Sequence, residues 1–142
     1  MRVMVLVRST KESEAGVMPD TQLLSAMGAF NEELVKAGVL VDGEGLQPTS
    51  KGKRVRFRGS ERAVVDGPFP GVKDQVAGYW VWNVSSMDEA VEWVKRCPNP
   101  GKGESEIEIR PILTLEDFGE AVTPDVKQQD ERLRSELSHK GA

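Results

Sequence analysis

The sequence RVMVLVR at residues 2–8 decides how the fold begins. Its five inner residues are all apolar, and an arginine bounds the run at each end. A continuous apolar run of this length, rich in β-branched residues, is typical of a strand that is covered on both faces. We therefore expect the chain to begin with a central strand of a sheet.

The next regular element is expected to be an amphipathic helix. Asp20 is placed to act as its N-cap, and Gly38 is placed at the C′ position beyond its end. Between these two residues, apolar side chains recur at helical spacing at Leu23, Met27, Phe30 and Leu34. A helix with a single apolar stripe has to cover a sheet, so this helix is expected to pack on the first strand.

Five further stretches have the patterns of strands. Residues 39–46 form a short Gly-rich stretch, and residues 53–58 and 62–65 predict a hairpin that turns at Gly59-Ser60. Residues 79–84 are aromatic and β-branched, and residues 106–112 alternate isoleucine with charged side chains.

A second helix is expected between the last two of these strands. Ser86 and Glu89 have the spacing of a capping box, and Pro98 ends the helix. The order of elements predicts an α+β fold, a ferredoxin-like βαββαβ sandwich with an extra β-hairpin and with its helices on one face of an antiparallel sheet.

The last part of the chain has a different composition, so we predict a domain at residues 1–119 and a charged extension at 120–142. Thr123-Pro124-Asp125 is a good helix start, because proline is favoured at the first helical position. The apolar stripe that follows is thin. Two interpretations stay open: a helix packed weakly on the domain or on a partner, or a frayed tail.

Composition excludes several classes of function. The chain has 142 residues, enough for one domain, and its single cysteine (Cys97) and single histidine (His139) exclude a disulfide framework and a multi-histidine metal site. We expect no metal and no cofactor. No apolar run approaches the roughly 20 residues that span a bilayer, and the amino terminus lacks a signal-peptide pattern, so a cytoplasmic protein without a membrane partner is expected.

The charge argues against a nucleic-acid partner. The net charge is −4, whereas domains that bind nucleic acid are usually basic. A cluster of lysines and arginines between residues 51 and 62 contains only one aromatic residue, Phe57, on the opposite face of its strand from the arginines. This cluster favours a charged hairpin protected against edge-to-edge pairing.

Both faces of the strand at residues 79–84 are expected to be buried. Trp80, Trp82 and Val84 point to one side, and Tyr79, Val81 and Asn83 point to the other, so neither set is predominantly polar. Helices cover only one face of the sheet, so the other needs a different cover. We therefore predict a homodimer whose sheets meet face to face.

The most distinctive short motif is Asp66-Gly67-Pro68-Phe69. Together with the segments listed at the end of this sentence, it resembles the YCII-related family, in particular its DGPF branch: Gly38-Val39-Leu40, Gly43-Glu44-Gly45-Leu46, Lys73, Gly78-Tyr79-Trp80, Asp88-Glu89-Ala90, Trp93 and Glu108-Ile109-Arg110-Pro111. The resemblance covers roughly residues 1–119. It implies the dimeric α/β barrel fold, in which two ferredoxin-like sandwiches pair through their sheets.

The resemblance implies less about chemistry. Some related proteins resemble enzymes with a His–Asp pair in the cleft, and a few relatives serve in the breakdown of aromatic compounds. Asp66 matches the carboxylate of that pair, but no histidine lies in the region of resemblance, since His139 lies beyond it.

The sequence therefore leaves two hypotheses for the function. In the first, the protein binds a small polar or anionic molecule or acts as an enzyme, with Asp66 as general base and with Glu44, Phe69, Lys73 and Arg110 as ligand-binding residues. Aspartate before Gly-Pro is also a common turn former, so Asp66 has a structural interpretation too. The second function is a non-catalytic dimer that senses a metabolite or binds a partner protein.

Overall fold

The computed structural model describes residues 1–140, and the chain divides into two compact units, Met1–Pro111 and Ile112–Ala142. The first unit contains six strands: β1 (Arg2–Arg8), β2 (Leu40–Gly45), β3 (Lys53–Arg58), β4 (Glu61–Asp66), β5 (Val76–Asn83) and β6 (Ile107–Pro111). It also contains the helices α1 (Lys11–Glu14), α2 (Thr21–Lys36) and α3 (Met87–Lys95). The second unit contains a 3₁₀ segment, Leu115–Ala121, and α4 (Pro124–Lys140).

Four strands form one sheet in the order β2-β5-β1-β6, with every neighbouring pair antiparallel. The prediction of an α+β fold with an antiparallel sheet is confirmed. The RVMVLVR stretch forms β1, which lies between β5 and β6 as a central strand.

The core lies on one face of this sheet. Val3 and Val5 of β1 and Trp82 of β5 are fully buried there, together with Leu34 of α2. The Phe30 ring meets the rings of Trp80 and Trp82 edge to face, with centroids 6.0 and 6.2 Å apart. Burying large side chains of this kind stabilises a fold by about 2 kcal/mol each, so this layer of α2 on β1 and β5 is the main source of stability.

Both predicted ends of α2 are confirmed. The Asp20 carboxylate accepts a hydrogen bond from the Leu23 N–H at 2.8 Å, which is an N-cap. Gly38 has a φ of +72°, and the N–H groups of Gly38 and Val39 donate to the carbonyls of Val35 and Leu34. This pair of bonds is a Schellman motif, and it needs glycine at a left-handed position.

The start of α3 differs from the capping box in one bond. Ser86 Oγ accepts from the Glu89 N–H at 3.1 Å, as predicted. The Glu89 carboxylate, however, accepts from the N–H and the hydroxyl of Ser85, at 2.5 and 2.8 Å. These bonds, chiefly the one from the Ser85 backbone, lower the pKa of Glu89 because they stabilise its charged form.

The predicted hairpin also forms, with β3 and β4 joined through Gly59-Ser60. It is a separate two-stranded sheet and pairs with no strand of the four-stranded sheet. The short helix α1 was absent from the sequence prediction, because its four residues, Lys11–Glu14, contain no apolar residue that could reveal a periodicity.

In the second unit, α4 begins at Pro124 as predicted and continues to Lys140, so residues 124–140 of the extension form one helix. Gly141 and Ala142, the last residues of the predicted extension, lie outside the described residues. None of the described residues of α4 is buried. The predicted domain boundary after residue 119 stays a prediction. Within residues 1–140, no helix has both the length and the apolar character needed to cross a membrane.

Candidate functional site

A cavity of about 300 Å³ lies between α2 and strands β2 and β5. Helix α2 contributes a thioether and an amide, and the strands contribute glycines and an indole. The lining residues are Val7, Met27, Asn31, Gly43, Glu44, Gly45, Ala77, Gly78, Tyr79 and Trp80.

Three glycines, Gly43, Gly45 and Gly78, line this cavity. Gly43 opposes Trp80 across the sheet, and Gly45 opposes Gly78. A Cβ atom on Gly43 would lie 2.6 Å from Cδ1 of Trp80, so even alanine would displace the indole. A Cβ on Gly45, by contrast, would meet no atom within 4 Å. The backbone of β2 can therefore approach the indole closely only because residue 43 has no side chain.

Asn31 is the polar residue that α2 contributes to the cavity, and its side-chain amide has a defined orientation. The Trp80 Nε1–H donates to Oδ1 of Asn31 at 2.9 Å. An indole nitrogen can only donate, so this bond fixes which end of the Asn31 amide faces Trp80. Nδ2 of Asn31 makes no hydrogen bond with any residue in the described range 1–140. Asn31 therefore provides the cavity with an unpaired donor.

Glu44 is the one predicted site residue that lines the cavity. It opposes Tyr79 across β2 and β5, whereas its neighbours Gly43 and Gly45 oppose Trp80 and Gly78. Since directly opposed residues share a face of the sheet, the Glu44 side chain belongs to the face that the helices leave open. Glu44 therefore contributes to the rim of the cavity and to the open face.

Asp66 lies at the base of the hairpin and does not line this cavity. Its side chain is 74% exposed and pairs with Nζ of Lys53 at 2.5 Å. The Gly67 N–H that follows donates to the carbonyl of Gly52 at 3.0 Å. A Cβ on Gly67 would lie 1.7 Å from the Thr49 carbonyl oxygen, so the turn requires glycine there.

Phe69 is held on the same side of the hairpin base. Its N–H donates to Oγ1 of Thr49 at 3.1 Å, and the Thr49 hydroxyl donates to Glu14 at 2.6 Å. Its carbonyl accepts from Nε2 of the buried Gln75 at 2.7 Å. The guanidinium of Arg54 lies 3.9 Å from the centroid of the Phe69 ring. Phe69 is thus anchored in a network that fixes the turn.

Lys73 and Arg110 lie at two further places. The exposed Lys73 uses its backbone carbonyl, which accepts from Nε of Arg8 at 2.8 Å. Arg110 lies on β6 with a side chain that is 72% exposed, and its Nε is 3.9 Å from Glu108. The structure therefore does not bring Asp66, Phe69, Lys73 and Arg110 to the cavity that Glu44 lines.

Sequence reasoning missed Asn31 and treated Met27 only as part of the apolar stripe. One clue was present: Asn31 follows Met27 by four residues, so it is a polar residue on the face of α2 that packs on the sheet. A polar residue in a buried stripe indicates a specific partner or a cavity.

The remaining reactive groups lie elsewhere. Burial raises the pKa of the Cys97 thiol to about 11, and its Sγ–H donates to the carbonyl of Pro98 at 3.2 Å. His139 lies on α4, with Nδ1 2.9 Å from the Ser135 carbonyl oxygen. Among residues 1–140, no three carboxylate, thiol or imidazole side chains cluster closely enough to hold a metal ion.

The antiparallel sheet, the helices over one of its faces and the cavity beneath α2 define a small α+β domain. A family model described as the YCII-related domain matches residues 1–115. A protein of Rhizobium meliloti (strain 1021), described as uncharacterised, is 30% identical over 103 residues, which cover 72% of this chain and 78% of the relative. The chain belongs to the YCII-related family, as the resemblance predicted.

Proposed function

We propose that this protein binds a small molecule in the cavity between α2 and strands β2 and β5. The observation that carries the proposal is the space that Gly45 leaves open in this cavity, where a Cβ atom would meet no described atom within 4 Å. Pockets for small molecules commonly have volumes of about 300–1,000 Å³ and combine an apolar lining with a few polar groups. A cavity of about 300 Å³ lies at the small end of this range.

The lining supports a neutral ligand with one ring and one hydrogen-bond acceptor. Trp80 and Met27 provide apolar contact, and the free Nδ2 of Asn31 provides one donor. Among residues 1–140, no lysine or arginine lines the cavity, so its chemistry favours a carbonyl over a carboxylate. The anionic ligand expected from the sequence remains the competing prediction.

The experiment is a binding comparison by saturation-transfer NMR with benzamide, benzoate and toluene. Benzamide carries both the ring and the neutral acceptor and should give the strongest transfer. Toluene lacks the acceptor, and benzoate tests the anionic ligand. Stronger binding of benzoate would replace the neutral ligand with the anionic one.

Two matched glycine variants locate the binding site. Gly45→Leu places a side chain into the cavity where no atom lies within 4 Å of the new Cβ, so the fold should persist. Gly28→Leu adds the same side chain to the exposed surface of α2, also with no atom within 4 Å. Benzamide should bind to the wild type and to Gly28→Leu but not to Gly45→Leu. Equal binding to both variants would refute the cavity site.

We further propose that the protein has the ferredoxin-like topology and pairs through its sheet into a dimeric α/β barrel. The strand order β2-β5-β1-β6 supports the topology. Two rows cross the open face, Asp42–Val81–Met4–Arg110 and Glu44–Tyr79–Leu6–Glu108. Each row has an apolar centre and charged ends, which is the usual anatomy of a protein interface.

Light scattering tests the dimer through Leu6→Lys. A charge at the centre of the open face should convert a particle of twice the 15.6 kDa chain mass into a monomer. Val35→Lys, at a position of α2 that is 61% exposed, is the control and should leave the mass unchanged. A monomeric wild type would rule out the sheet-face dimer.

The carboxylate of Asp66 supports a second candidate function, an enzyme that uses it as general base. A general base must reach its substrate, and Asp66 is accessible on an anchored turn. Asp66→Asn should then abolish turnover while changing the free energy of unfolding by less than about 1 kcal/mol. A larger loss of stability with unchanged ligand binding would assign Asp66 to the turn and favour the non-catalytic, metabolite-sensing alternative.

A further inference from the structure

The hairpin of β3 and β4 stands apart from the four-stranded sheet and exposes apolar side chains. Val55, Val64 and Phe57 are 51%, 64% and 70% exposed. A single two-stranded hairpin is marginally stable in water unless something packs against it. The described residues provide no such cover for these three side chains.

The base of the hairpin is nevertheless fixed. Lys53 and Asp66 form an ion pair across its first rung, and the Gly67 N–H donates to the Gly52 carbonyl. Arg54 stacks on Phe69, which the Thr49 hydroxyl holds in place. The two strands therefore extend from an anchored base, and all of their residues except the half-buried Val65 are exposed.

The two faces of the hairpin differ in chemistry. Val55 opposes Val64 and Phe57 opposes Arg62, so these four side chains share one face, on which the Arg62 guanidinium lies 4.5 Å from the Phe57 ring centroid. The other face carries Arg54, Arg56 and Arg58. Aromatic and arginine side chains are the types enriched at protein interfaces, whereas lysine, which keeps edges unpaired, occurs only at the base.

The charge of the hairpin is opposite to that of the rest of the chain. Residues 53–66 contain five cations and two anions, a net charge of +3, whereas the whole chain carries −4. The remainder of the chain therefore carries −7. A second copy of this chain is thus an acidic partner for the basic hairpin. In a two-fold dimer, the hairpin of each copy makes the same contact with the other copy.

We propose that the β3–β4 hairpin is an arm that docks on a second copy of this chain through its Val55, Val64 and Phe57 face. The arm buries these three side chains on the partner, and Arg62, which shares their face, lies against the partner's acidic surface. The arm contact does not depend on the ligand cavity.

Photo-crosslinking of the full chain tests this contact. A benzophenone amino acid replaces Phe57 in ¹⁵N-labelled protein, which is mixed with unlabelled wild type before irradiation. Mass spectrometry then distinguishes crosslinks between copies from those within one chain. Crosslinks from position 57 to peptides of the other copy are expected. The control places the same group at Val35, which is exposed on α2 and outside the arm.

Absence of crosslinks between copies at position 57, or equal yields from positions 57 and 35, would overturn the proposal. Sedimentation of Val64→Thr provides a second readout, because threonine keeps the β-branched shape and the strand propensity while adding a hydroxyl. The dimer dissociation constant should rise by about tenfold and should rise further with salt. An unchanged constant would also overturn the arm, and loss of the dimer only in Leu6→Lys would leave the sheet face as the sole contact.

Discussion

At the scale of single residues, Cys97 is a reactive group that its surroundings keep inactive. Burial raises the pKa of its thiol to about 11, from an ordinary value of 9.0. Thiolate is the reactive form, so little of it is present at neutral pH. We predict that a disulfide reagent at pH 8 modifies the folded protein much more slowly than the protein in denaturant. Equal rates in absorbance assays would contradict the burial of the thiol.

The same raised pKa predicts how stability depends on alkaline pH. The unfolded thiol loses its proton near pH 9, whereas the folded thiol keeps it until about pH 11. The contribution of the protonated thiol to the free energy of unfolding is therefore fully present below pH 9 and decreases as the pH rises toward 11. Cys97→Ala should reduce this alkaline loss, measured as the urea midpoint at pH 8 and pH 10. An identical loss in both proteins would assign it to other groups.

The residues of the candidate site differ in how far the sequence could reveal them. Glu44 was found because it lies between glycines, and the structure places it at the cavity. Asp66 and Phe69 form a conspicuous motif, yet their contacts with Lys53, Thr49 and Gln75 hold a turn. Asn31 depends on a contact with Trp80, which is 49 residues away in the chain. Such long-range pairs follow from the packing of α2 on β5 and have no local pattern.

At the scale of elements, one glycine inside α2 and one just beyond its end predict opposite effects of the same substitution. Gly28 lies inside the helix with open space around it, so Gly28→Ala should stabilise the protein by about 1 kcal/mol. Gly38 has a φ of +72°, so Gly38→Ala should destabilise it by about 1 kcal/mol or more. Urea unfolding checks both. A shift in the same direction for both variants would contradict the helix end at Gly38.

The hydrogen bonds at the start of α3 predict how the free energy of unfolding changes at acid pH. Hydrogen bonds from Ser85 lower the pKa of Glu89 below 4.5, so the folded state favours the carboxylate. The resulting stability is present above the unfolded pKa and is lost as the pH falls through the folded value. Glu89→Gln should therefore lose less stability than the wild type between pH 6 and pH 3. Parallel melting curves against pH for the two proteins would refute this assignment.

Most elements could be predicted because each has a local cause. The alternation in β6, the β-branched run of β1 and the caps of α2 are all readable from neighbouring residues. The alternation of arginine with apolar residues also set the hairpin apart as an addition to the sandwich. What had no local pattern was that it pairs with no described strand of the main sheet, because strand partners are chosen by tertiary packing. Helix α1 lacked any apolar residue, so its cap at Thr10 was the only clue.

At the scale of the whole molecule, the sequence predicts a cover for the open face of the sheet, a second copy of the chain, but none for the apolar face of the hairpin. The open face of the sheet and the Val55, Val64 and Phe57 face of the hairpin both carry apolar side chains between charges. Two surfaces of the chain therefore have the composition of an interface. Their contributions to the free energy of dimerisation add only if a single two-fold dimer buries both. The Leu6→Lys and Val64→Thr variants separate these contributions, because they lie on different sheets.

The last prediction concerns how much of the chain the fold needs. Every buried apolar residue of the described core, from Val3 to Ala90, lies within residues 1–111, and α4 buries none of its side chains. Residues 1–119 should therefore unfold cooperatively, with a free energy within about 1 kcal/mol of that of the full chain. A chain of residues 1–105 is the control, since it loses β6 and its pairing with β1 and should not fold. The full chain and the two shortened chains are compared by urea denaturation, with tryptophan fluorescence as the probe. If residues 1–119 lost their cooperative transition, α4 would have to supply stability that its exposed side chains do not account for, and the predicted boundary at residue 119 would be wrong.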